Sequence, residues 1–102
     1  MFEKITIIGC GLIGSSILRA IDKNKLSKQI NIFDKSEEAS KFIKNNFSAK
    51  VFNNIAQSVE DSDLVIISSP LSSYKEILLS IKSNFKKNVI LTDTGSAKKE
   101  IN

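Results

Sequence analysis

The sequence predicts an α/β fold, a doubly wound parallel sheet in three layers with helices on both faces. Short runs of β-branched and aliphatic residues alternate with helical periodicity from one end of the 102 residues to the other. That order calls for parallel strands joined by right-handed crossovers. The first run, Ile5-Thr6-Ile7-Ile8, stops at Gly9, and Gly9, Gly11 and Gly14 stand in G-x-G-x-x-G spacing just before a helical pattern. Asp34 follows Gly14 by twenty residues, at the end of a second apolar run. Strand, glycine turn, helix and a delayed acid together point to a dinucleotide site.

Each glycine has its own task. Gly9 can take the angles of a tight turn, Gly11 has no side chain to hold a pyrophosphate off the backbone, and Gly14 lets the helix lie close to the strand. With the backbone of Leu12 and Ile13 they form a phosphate cradle, because a helix start presents unpaired N–H groups and a positive dipole end. The helix should run from Leu12 to Asn24, with Ile13, Ile17, Ala20 and Ile21 on its apolar face and Arg19, Asp22 and Lys23 on the wet one. Leu26 is expected to fold back onto the sheet.

Ile30-Asn31-Ile32-Phe33 reads as the second strand, ending at Asp34, whose carboxylate is placed to accept hydrogen bonds from the adenosine ribose. That favours NAD. A 2′-phosphate within about 4 Å of a carboxylate costs roughly 1–4 kcal/mol per pair of unit charges, which disfavours NADP about tenfold to several hundredfold. Lys35 softens the preference. Ser36 suits an N-cap, with Glu37 and Glu38 in the first turn and Ala39, Phe42, Ile43 and Phe47 as the buried stripe.

Ala49–Phe52 is a short third strand, and Asn53-Asn54 turns the chain into a short helix carrying Ile55 and Val59. Leu64–Ile67 is continuously apolar, as in a strand covered on both faces. It stops at Ser68-Ser69-Pro70, where Ser69 can cap a helix and Pro70 suits its first turn. Tyr74, Ile77, Leu78 and Ile81 then mark the clearest amphipathic helix. Val89-Ile90-Leu91 is the fifth strand, running into Thr92–Ser96, with a last helix beginning near Ser96. The expected strand order is 3-2-1-4-5, a Rossmann-type sheet whose ligand sits at the carboxyl ends where the order reverses. Ser69 and Pro70 would line the ribose and nicotinamide side.

Composition narrows the classes. The length suits one domain, 1–102. The longest apolar runs are four or five residues, too short to span a membrane, and the first strand begins too early for a signal peptide. The net charge of +4 comes from fourteen lysines and one arginine scattered among acids, unlike a nucleic-acid footprint. The single cysteine, Cys10, excludes an internal disulfide and fits the cytoplasm. With no histidine, the usual zinc site is excluded.

Three segments resemble a known family. Gly-Cys-Gly-Leu-Ile-Gly-Ser-Ser (9–16), Ser-Ser-Pro-Leu (68–71) and Thr-Asp-Thr-Gly-Ser-Ala-Lys (92–98) are similar to the N-terminal domain of prephenate dehydrogenases, and the resemblance covers the whole chain. Leu12-Ile13 sets it apart from hydroxyacid and phosphogluconate dehydrogenases, which tend to carry methionine before the third glycine. The 92–98 segment is the more specific piece. The resemblance implies oxidative decarboxylation of prephenate to 4-hydroxyphenylpyruvate in tyrosine biosynthesis, with hydride passing to NAD and a histidine as general base. It also implies that Ser96 lies on the substrate side, and that a helical C-terminal domain forms a homodimer. Lys98 is a weaker candidate for attracting an anionic substrate, and Asp93 reads as structural.

The departure is the missing histidine, which in the family lies downstream of the segment matched here, as does the helical domain. The chain is therefore expected to bind cofactor without turnover. Arogenate dehydrogenase, a stand-alone dinucleotide-binding or sensor module and, more remotely, a reductase of the pyrroline carboxylate type are the alternatives.

Overall fold

Five parallel strands form one sheet in the order β3-β2-β1-β4-β5, as expected from the alternation. The computed structural model describes residues 2–9, 12–69, 71–85 and 88–93. Its elements are β1 (Phe2–Ile8), α1 (Leu12–Asn24), β2 (Ser27–Phe33), α2 (Glu37–Asn46), β3 (Lys50–Phe52), α3 (Ile55–Ser58), β4 (Leu64–Ile67), α4 (Leu71–Ile81) with a 3-10 turn after it, and β5 (Ile90–Asp93). It is a Rossmann-like arrangement. Pro70 and the helix expected near Ser96 lie outside the described residues.

The central strand shows why two layers of helix are needed. Successive side chains of a strand point to opposite faces. Ile5 and Ile7 enter a core with Leu18 and Ile21 of α1, Ile43 of α2, and Ile30, Ile32 and Ile66 of the neighbouring strands. Ile8 points the other way, into a core with Val59, Val65, Ile67 and the α4 residues Ile77 and Ile81. A strand apolar on both faces is stable only when both are covered. Asp63 sets the register at its start: one carboxylate oxygen accepts the N–H groups of Glu3 and Lys4 at 2.7 and 3.2 Å.

Thr6 interrupts the apolar pattern, and it is fully buried. Its hydroxyl donates to the Ser58 carbonyl at 2.6 Å, so the Ser62 hydroxyl, 2.5 Å away, must donate to Thr6. Asn31, opposite Thr6 in the ladder, donates to the same Ser58 carbonyl at 3.1 Å. This network ties down α3, which at four residues is too short to stand alone.

Several details differ from the sequence reading. β2 begins at Ser27 rather than Ile30, because its polar first residues pair with β1 down to Phe2. Ala20 is exposed, and Leu18 is buried together with Ile21; the side chain of Ile13 lies outside the described residues. Leu26 is 45% exposed instead of folding back. Its backbone is committed elsewhere: its N–H closes α1 on the Ile21 carbonyl at 3.1 Å and its carbonyl accepts the Phe2 N–H at 2.9 Å. Phe42 is 50% exposed, since α2 lies over a sheet edge whose last strand has three residues and covers only the line through Ile43. Ser36 does cap α2, accepting the Ala39 N–H at 3.2 Å, and Asn54 caps α3.

Candidate dinucleotide site

The site lies at the carboxyl ends of β1, β2 and β4. Gly9 takes the left-handed conformation, φ +80°, which glycine adopts without penalty. Its N–H donates to the Phe33 carbonyl at 2.8 Å, and the Ser68 N–H donates to the Ile8 carbonyl at 2.9 Å. These bonds bring the glycine turn, the residue before Asp34 and the end of β4 together. A side chain at Gly9 would also collide with the Ser69 hydroxyl. At Gly14 a Cβ would stand 2.6 Å from the Gly9 carbonyl oxygen and 2.6 Å from Ser68 Oγ. Both positions therefore exclude larger residues, Gly9 by angle and space, Gly14 by space.

Leu12 and Ile13 open α1 with Gly14 in the same turn. The first amides of a helix have no acceptor within it, and no acidic side chain stands in this turn to compete with an incoming anion. Gly11, Pro70 and Ser96 lie outside the described residues, as do Cys10 and Lys98. Asp93 closes β5.

Asp34 is half-buried directly after β2. One of its carboxylate oxygens accepts the Ser36 N–H at 2.9 Å, a local turn that fixes the side chain. Asp34 is also one wall of a cleft of about 410 Å³ between α2 and the end of β3, shared with Lys35, Lys41 and Lys44. Lys35 was expected near the ribose; Lys41 and Lys44 join it here. Their three-residue spacing, which puts both on one face of α2, was the available signal.

The family model described as NADP oxidoreductase, coenzyme F420-dependent, matches residues 4–96. The chain belongs to that family. The matched stretch of the NADP oxidoreductase family takes in the glycine turn, Asp34 and the Ser68–Pro70 segment. The chain is 34% identical to the cyclohexadienyl dehydrogenase of Zymomonas mobilis subsp. mobilis, over 96% of this chain and 34% of that one. It is 35% identical to the prephenate dehydrogenase of Lactococcus lactis subsp. cremoris, over 97% of this chain and 28% of that one. These likenesses bear out the resemblance read from the three motifs. Among solved structures, the prephenate dehydrogenase from A. aeolicus in complex with hydroxyphenyl propionate and NAD+ superposes with a TM-score of 0.79 at 21% identity, over 91% of this chain and 33% of that one. That likeness is one of fold. The chain spans about a third of the length of the curated relatives it matches.

Proposed function

We propose that the chain is the NAD-binding domain of a prephenate dehydrogenase. The carrying observation is the Gly9 N–H bond to Phe33, which holds the phosphate-binding turn beside Asp34 at one end of the sheet. The whole-chain likeness to prephenate and cyclohexadienyl dehydrogenases supports the choice of enzyme. The opening amides of α1, from Leu12 through Gly14, with Gly9 and Gly11 in the turn, take the pyrophosphate. Asp34 accepts the adenosine ribose hydroxyls. Ser69 and Pro70 line the ribose and nicotinamide side, and Ser96 faces the substrate. Bound NAD supplies the hydride acceptor for oxidative decarboxylation of prephenate in tyrosine biosynthesis.

The 102 residues contain no histidine, so a histidine general base has to come from outside them, and this chain binds cofactor without turnover. We place the whole enzyme in the cytoplasm as a homodimer joined through a helical domain, with no nucleic-acid or membrane partner. The likeness to a cyclohexadienyl dehydrogenase supports a second reading of the substrate, in which arogenate is used in place of prephenate or beside it.

On the cofactor, two features pull in opposite directions. The family description names NADP, and Lys35, Lys41 and Lys44 would welcome a 2′-phosphate. The Asp34 carboxylate in the same cleft repels it. The reading is NAD first, with the margin over NADP reduced by the lysines. Fluorescence titration should show saturable NADH binding, tighter than NADPH, and NAD with prephenate should give no NADH. Failure to bind either dinucleotide would overturn the proposal, and tighter binding of NADPH would reverse the cofactor assignment.

A further inference from the structure

Ser68 follows β4 and grips the glycine turn twice. Its N–H donates to the Ile8 carbonyl at 2.9 Å, and its hydroxyl donates to the carbonyl of Gly9. Gly9 gives its N–H to Phe33, so both main-chain polar groups of Gly9 are paired with residues at the ends of other strands. The first turn of α1 rests on this pair, since a Cβ at Gly14 would stand 2.6 Å from both oxygens. The neighbouring Ser69 differs: its hydroxyl fills the space that a side chain at Gly9 would need.

We propose that Ser68 is a positioning residue of the phosphate cradle, its hydroxyl holding the Gly9 carbonyl against the sheet and offsetting its negative end. The inference rests on the dinucleotide reading above. An anion is drawn to a helix start by unpaired N–H groups and the dipole. A carbonyl oxygen in the same turn opposes that attraction unless a donor satisfies it and fixes its direction. Ser68 supplies the donor from a strand end that the surrounding core keeps rigid, because Val65, Ile66 and Ile67 just before it are all buried. The cradle is thus built from two chain segments 59 positions apart, and the serine contributes without touching the ligand.

The test compares the 102-residue chain with S68A and S68T. NADH affinity is measured by fluorescence titration, competition by ADP-ribose and by adenosine is measured against NADH, and folding is followed by circular dichroism. S68A should weaken NADH and ADP-ribose by about five- to tenfold and leave adenosine, which has no phosphates, unchanged. S68T keeps a hydroxyl on the same carbon and should restore the affinity. If the unsubstituted chain binds no dinucleotide, the functional reading falls and this inference with it. If that chain binds and S68A matches it, the inference alone is wrong. Unfolding of S68A, or an equal loss for adenosine and ADP-ribose, would make the hydroxyl a determinant of folding and would equally overturn the positioning role.

Discussion

Two clusters of hydroxyls and carbonyls flank β1, and they use the same chemistry for different ends. Around Thr6, the Ser62 hydroxyl, the Asn31 amide and the Ser58 carbonyl are fully paired and sealed from solvent. Around Gly9, the Ser68 hydroxyl and the Gly9 carbonyl are paired in a half-buried place at the carboxyl edge of the sheet. A buried polar network has to be complete, because every unpaired member costs the full desolvation of its group. A network at the edge can leave some partners to a ligand. The first cluster holds a helix and the second holds the proposed phosphate cradle, and burial makes the difference.

Gly14→Ala should give the largest effect and damages the second cluster directly. Its Cβ would stand 2.6 Å from a backbone oxygen, so α1 has to shift. We expect a loss of about 2–3 kcal/mol in stability and NADH binding below detection, measured by urea denaturation and titration. Wild-type affinity in this variant would mean that the tight packing at position 14 does not govern the cradle.

Thr6→Val is the matching probe of the first cluster. The substitution keeps the shape, leaves Ser62 with no acceptor at position 6 and removes one of the two donors on Ser58. Stability should fall by about 1–3 kcal/mol, while the NADH affinity of the folded fraction stays the same. A changed affinity would join the two clusters into one unit and break the contrast.

Asp34→Ala tests the ligand side alone. NADH should weaken by about tenfold, within the range expected for a charge-assisted pair of hydrogen bonds, and the gap to NADPH should narrow or invert as Lys35, Lys41 and Lys44 act unopposed. Folding should change little, because Asp34 is half-exposed and Ser36, not Asp34, caps α2. Unchanged affinity for both dinucleotides would remove Asp34 from the site.

The contrast also explains what could be read in advance. The parallel sheet followed from alternation and its 3-2-1-4-5 order from the Rossmann-type glycine turn, and Gly9, Gly14 and Asp34 marked the candidate site, because backbone angles and spacing are local properties written in residue type. Leu18 for Ala20, the exposed Leu26 and Phe42, and the early start of β2 depend on how helices sit on a finished sheet, which no local pattern states. Thr6 and Ser68 were illegible for the same reason: their partners are more than fifty positions away. A hydroxyl next to or within an apolar strand signals that a partner exists without saying which.

Lys25→Gly is the smallest change and lies at the opposite end of the sheet from the cradle. Lys25 follows α1 in the left-handed conformation, φ 53°, with its N–H on the Asp22 carbonyl at 3.4 Å and the Leu26 N–H on Ile21 at 3.1 Å. That is the bonding of a helix end that usually carries glycine. A non-glycine residue there costs about 1–2 kcal/mol, part of which glycine loses again as entropy of the unfolded chain. The net gain should be about 0.5–1 kcal/mol, which for about a hundred residues raises the thermal midpoint by a few degrees, roughly 2–8 °C. NADH affinity should not move, since Lys25 adjoins neither cluster. A rise in stability that also tightened NADH would show that the cradle is strained by marginal folding, and the division between scaffold and site would have to be redrawn.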